Sequence, residues 1–223
     1  MTSPWFERDP SALTALERTL RAKFPTLHAF IEGDVCEVRG AFAPVHGDIY
    51  QLKIVLPVSY PRWLPSVYET GGRIPQIVDR HVFPGGSLCL GTPLALWIAL
   101  RGEFSIESIV DGPLRSYLIG NSLVEEGQPW HHDDRPHGAA GIVQHLGELI
   151  GTTEPLAAGR FLLDVLIGKV RGHWHCPCGS GLIIRKCHRD AVDILRAAPP
   201  SILMHAVDVI HKDLKRRLDQ EAA

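Results

Sequence analysis

Residues 34–56, DVCEVRGAFAPVHGDIYQLKIVL, decide how this chain is read. Within them Tyr50, Leu52, Ile54 and Leu56 alternate with Gln51 and Lys53, the period of two that a strand needs when one face meets a core and the other meets water. The run DVCEVRGAFA at 34–43 is likewise rich in β-branched residues, and HAFIEG at 28–33 supplies a third candidate strand upstream. Gly, Pro and Asp separate the three runs, so an antiparallel meander is the economical arrangement. Cys36, between Val35 and Val38, reads as plain core.

Upstream, DPSALTALERTLRAKF at 9–24 puts Asp9 at a helix-cap position and Pro10 at the first helical position. Leu13, Leu16, Leu20 and Phe24 then follow one face, the mark of an amphipathic helix. Downstream, SYPRWLPSVYE at 59–69 holds Pro61 and Pro65, which remove two backbone donors and suit a loop or sheet edge before a short strand at 66–70. The stretch 71–93 has no lasting period. Helical spacing returns at Ile106, Ile109, Val110, Leu114 and Leu118, with a break expected at Gly112–Pro113. Further helical patterns occupy 139–150 and 155–169, and a last helix follows Pro199 and Pro200, its cationic end at Lys212, Lys215, Arg216 and Arg217.

The whole chain has 223 residues, 45% hydrophobic and 22% charged, proportions that exclude disordered, collagen-like and coiled-coil classes. Lys and Arg total 23 against 25 Asp and Glu, so no general excess of cations is present to attract nucleic acid. The start, MTSPWFERDP, lacks the basic and apolar segments of a secretion signal, and no apolar run is long enough for a membrane span. A cytoplasmic protein is expected. Five cysteines are too few for a disulfide scaffold, and three of them fall between 176 and 187.

Two segments carry chemistry. In HVFPGGSLCLGTP at 81–93, Cys89 follows His81 in a loop whose Gly85 and Gly86 permit close approach of another backbone. A Cys-His pair also fits a cysteine protease, but the surrounding residues match no local protease signature. In HWHCPCGSGLIIRKCHRD at 173–190, Cys176, Cys178, Cys187 and His188 offer three sulfurs and one imidazole, a set that fills the tetrahedron of a structural Zn2+ and leaves no site for water. His173 and His175 are alternative nitrogen donors. A third group, His131, His132, Asp133, Asp134 and His137, has hydrolytic-metal residue types, yet Pro129 and Pro136 mark a solvated loop. Trp97 reads as a core or lid aromatic.

The order helix, meander, Tyr60-Pro61 with Leu64-Pro65, His81, then Gly86 to Leu90 around Cys89, resembles the ubiquitin-conjugating enzyme family, especially its bacterial members. The resemblance implies an α+β fold over 1–150, an antiparallel meander flanked by helices, with a helical extension at 151–223. It implies that Cys89 accepts an acyl group as a thioester and passes it to an amine on a protein, His81 serving the site. The implied partners are a carrier protein's C-terminus, from a ubiquitin-like protein or the nucleotide synthase of an antiphage system, and a protein acceptor. Direct contact with nucleic acid or membrane is not expected. Val82 and Phe83 replace the Pro and Asn that eukaryotic members carry after the histidine, so another group must stabilise the oxyanion: His81 or an amide of the Gly85–Gly86 loop. A catalytically silent binding module is the alternative reading. Residues 173–189 resemble the SEC-C zinc motif at Cys176, Cys178, Gly179, Ser180, Gly181, Cys187 and His188, which implies an interaction tail built on zinc.

Overall fold

The computed structural model describes residues 3–130, 136 and 138–221. The third His-Asp group, His131, His132, Asp133, Asp134 and His137, lies outside them. The chain forms two compact units, one built from residues up to 91 with 103–134, the other from 92–102 with the remainder.

The first unit is α+β. A short helix, α1 (Trp5–Arg8), leads into α2 (Pro10–Lys23). The capping expected from sequence is in place: Asp9 Oδ1 accepts from the amides of Ser11 at 3.1 Å and Ala12 at 3.3 Å, and Pro10 needs no partner at the first position. Leu16, Leu20 and Phe24 face the core, while Leu13 is only half-buried against it. Four strands follow, β1 (Leu27–Glu32), β2 (Val35–Phe42), β3 (Tyr50–Leu56) and β4 (Ser66–Glu69), hydrogen-bonded in chain order as an antiparallel meander. The register sets Val38 opposite Ile54 and Ile54 opposite Val67, so alternate residues of three strands reach one apolar layer. Pro61 and Pro65 lie in the β3–β4 loop, clear of the ladder, where a missing amide costs nothing.

α3 (Pro93–Ala99) belongs to the second unit. Back in the first, α4 (Ile106–Ile109) and α5 (Arg115–Glu125) are separated by a wide turn at Val110–Leu114, where Gly112 leaves helical geometry just before Pro113. That is the break the Gly-Pro pair predicts. Ile106, Val110, Leu114 and Leu118 close over the sheet, and the Tyr50 hydroxyl donates to the Leu118 carbonyl at 3.1 Å.

The second unit packs α3 with α6 (Gly138–Ile150), α7 (Pro155–Leu166), α8 (Arg189–Ala197) and α9 (Pro200–Glu221). Its buried side chains include Leu146, Ile150, Leu162, Leu195, Ile202 and Ile210. At Gly159 of α7 an added Cβ would stand 3.2 Å from Ile210, so the small residue lets α7 and α9 approach closely. Trp97 of α3 is half-buried, its ring lying against Gly102. The helices α3 and α8 follow signals that the motif reading passes over: Thr92, whose hydroxyl caps the Ala95 amide at 3.3 Å ahead of Pro93, and the Ala191, Val192, Leu195 spacing. Among the described residues, no helix is long and apolar enough to cross a membrane.

Candidate functional site

His81 and Cys89 are brought together by a small hairpin beyond β4. Val82 and Leu88 form an antiparallel bridge, and the Cys89 amide donates to the His81 carbonyl at 2.8 Å. Leu88 N–H donates to Val67 of β4 at 2.7 Å, which ties the hairpin to the sheet. Val82 and Leu88 are buried, whereas His81 and Cys89 are half-buried. The tip closes through Gly86 N–H to the Phe83 carbonyl at 2.8 Å, with Gly86 at φ +81°, a geometry glycine adopts without Cβ strain. The Gly86 amide is therefore spent within the turn.

His81 itself sits at φ 53°, ψ 44°, a left-handed conformation that costs a non-glycine residue about 1 kcal/mol. Its surroundings hold it there. The imidazole stacks on Trp130 with ring centroids 4.6 Å apart, and Trp130 meets Tyr117 edge-on at 5.7 Å. The Tyr117 hydroxyl donates to the carbonyl of Arg80 at 2.6 Å, next to His81 in the chain. Arg80 Nε donates to Oδ1 of the fully buried Asn121 at 2.7 Å, and Asn121 Nδ2 donates back to the Tyr117 carbonyl at 3.3 Å. Sequence motifs do not reveal this support. Tyr117 and Asn121 lie one turn apart on α5, a spacing that becomes informative only when Arg80 is known to face them.

Burial pushes the Cys89 thiol above its ordinary range, and a hydrogen bond from Gly91 only partly opposes this. At neutral pH it is a thiol. Cys36, enclosed between β1 and β3, is pushed further, to about 11, mainly by desolvation.

The second site lies in a ribbon made by residues 172–188. Trp174 accepts from Ile184 N–H at 2.9 Å, Gly172 from Arg185 N–H at 2.9 Å, and Cys176 N–H donates to Leu182 at 2.8 Å. The ribbon thereby carries the cysteines at its tip toward Cys187 and His188 at its base. The donor atoms of Cys176, Cys178, Cys187 and His188 all lie within 4.8 Å of one another. Cys176 Sγ is 3.2 Å and Cys187 Sγ 3.3 Å from His188 Nδ1, and Cys178 Sγ is 3.5 Å from Cys187 Sγ. A tetrahedral ion bonded to sulfur at about 2.3 Å and nitrogen at about 2.0 Å separates its ligands by roughly 3.5–3.8 Å, so the donor set fits a metal ion. His173 and His175 are exposed and outside the cluster.

Burial raises the Cys176 thiol to about 11, while hydrogen bonds from Ser180 lower Cys178 to about 6. Ser180 Oγ also lies 3.3 Å from Cys187 Sγ, so this serine serves two of the ligands. Gly151, after the last turn of α6, packs directly on the cluster: at φ +71°, an added Cβ would lie 2.7 Å from Cys178 Cβ. The glycine seats the ribbon against the helix end. Neither the serine's second contact nor that glycine stands out from sequence.

No family model, curated protein or solved structure matches this chain.

Proposed function

We propose that the sheet unit is a ubiquitin-conjugating-type domain that carries an acyl group on Cys89, and that the Cys-His cluster holds a structural zinc ion. The observation that carries the reading is the contrast between two solitary cysteines: Cys36 is completely enclosed, whereas Cys89 remains partly open on a pinned loop beside His81. A thiol that must exchange cargo has to be reachable.

In the proposed step, Cys89 Sγ loses its proton and adds to the carbonyl carbon of a carrier C-terminus presented as a thioester. The new S–C bond forms, the donor's S–C bond breaks, and the departing thiolate takes up a proton. A lysine amine then adds to the same carbon, losing a proton as the N–C bond forms and Cys89 leaves as the thiolate. Both steps conserve electrons, and the first costs little because one thioester replaces another. His81, Arg80, Tyr117 and Asn121 position the loop, which supports the reading because orientation supplies much of the rate in such transfers. By its resemblance, the carrier is a ubiquitin-like protein or a nucleotide synthase of a bacterial antiphage system, and the acceptor a protein. Three thiolates with His188 on zinc would order the ribbon without taking part in transfer.

Because burial raises the Cys89 thiol, its thiolate fraction grows as pH rises through neutrality and beyond. Alkylation of Cys89 by iodoacetamide, followed by peptide mass spectrometry, should accelerate about tenfold per pH unit between pH 6 and 8, with Cys36 unmodified. A rate flat across that range would mean an activated thiolate. The raised thiol also favours a second reading, a silent binding module. Gels run with and without reductant, after incubation with candidate carriers and activating proteins, separate the two. A reductant-sensitive adduct lost in Cys89→Ala supports transfer; tight carrier binding that Cys89→Ala leaves intact, with no adduct, supports the module. Cys89→Lys should trap the donor as a stable amide.

A further inference from the structure

Although the chain's charges nearly cancel, they are unevenly placed. From residue 165 to 189 there are five cations, Lys169, Arg171, Arg185, Lys186 and Arg189, and no carboxylate. A zinc ion with three thiolates and an imidazole would contribute only −1 to this segment. Arg171 is bonded to the carbonyls of Gly168 and Val170, and Arg189 lies 3.6 Å from Asp193. Lys169, Arg185 and Lys186 are exposed and make no ion pair among the described residues. On the same ribbon Trp174 leaves 40% of its surface open, far more than a structural tryptophan needs to. Its carbonyl accepts from the Ile184 amide at 2.9 Å, which sets the Trp174 backbone beside the segment leading into Arg185 and Lys186. His173 and His175, also exposed, flank it in sequence.

We infer that the zinc ribbon is a binding surface for single-stranded nucleic acid, with Trp174 stacking on a base and Lys169, Arg185 and Lys186 meeting backbone phosphates. Cations alone would serve any polyanion. The exposed indole in the same segment favours a ligand with π-faces, since base–aromatic stacking tolerates sequence and adds to the phosphate contacts. A ribbon this small spans only a few nucleotides, which suits a flexible strand better than a duplex.

The test is fluorescence anisotropy with a labelled mixed-sequence 12-nucleotide RNA, the zinc-loaded full-length chain and a KCl series. Three phosphate contacts predict a slope of log affinity against log salt of roughly −2. Arg185→Gln with Lys186→Gln should flatten the slope to roughly −0.7 and weaken binding about tenfold at the lowest salt. Trp174→Ala should weaken binding about tenfold and leave the slope unchanged. Zinc content and circular dichroism identify any variant that has lost the ribbon, and Lys169→Gln, remote in sequence from the ligands, repeats the charge test without that risk. Cys89→Ala should bind as the parent does, so this result stands or falls apart from the transfer chemistry. Absence of salt-dependent binding overturns the inference. So does equal affinity for poly-glutamate with no effect of Trp174→Ala, which would make the ribbon a docking site for acidic proteins.

Discussion

Residues 27–69 bury Leu27, Cys36, Val38, Phe42, Leu52, Ile54 and Leu56 in one layer, whereas residues 172–188 bury only Cys176 and Ile184. Ordering a residue's backbone costs about 1–2 kcal/mol, and the sheet offsets this by burying apolar surface across neighbouring strands. The ribbon cannot. Its two buried residues fall far short for seventeen ordered positions, a shortfall that the proposed metal ion would offset through its four ligands. One region is specified by an alternating pattern, the other by the spacing of four donors.

The largest effect should come from removing the ion that the Cys-His cluster is proposed to hold. Chelation, or Cys176→Ser with Cys187→Ser, forfeits an apparent binding free energy of about 10–16 kcal/mol. Hydrogen exchange should then show protection lost at the Cys176, Ile184 and Arg185 amides and retained in β2 and β3. Retention of ribbon protection in the chelated protein would end the contrast between the regions. The converse comes next: Leu118→Ala, at a fully buried position over the sheet, should cost about 2–5 kcal/mol in denaturant unfolding and leave metal stoichiometry untouched.

Two smaller effects sharpen the comparison. Asn121→Ala strips Arg80 of its buried acceptor and should cost about 1–3 kcal/mol, while changing the Cys89 alkylation rate through the loop it supports. An unchanged rate would detach Asn121 from the site. Gly151→Ala combines a positive φ with a clash at Cys178 and should cost about 1–2 kcal/mol, read as weaker metal affinity in competition with a chromophoric chelator and not as a change in sheet protection.

Both chemical segments could be found from sequence, for different reasons. Metal ligands are local: Cys-x-Cys and Cys-His need only a turn between them, so the spacing itself announces the cluster. Cys89 was visible as a thiol in a Gly-rich loop, but its supports were not. Trp130 and Asn121 reach His81 and Arg80 across 49 and 41 positions of chain, and nothing in the intervening sequence encodes that meeting. The capped helix at Asp9, the alternation at Tyr50 to Leu56 and the Gly112–Pro113 break were legible because each arises within a few residues.

What the sequence alone determined is therefore the class of each piece: an α+β layer from period-two strands behind a capped helix, and a ribbon whose four donors around a Gly-Ser-Gly turn could hold a metal ion. Only the tertiary structure decided that Cys89 stays partly open, that His81 is held left-handed under Trp130, and that Gly151 seats the ribbon. Periodicity and ligand spacing are short-range properties carried by neighbouring residues. Exposure, ring stacking and close approach depend on which distant surfaces meet, and those are settled only when the whole core packs.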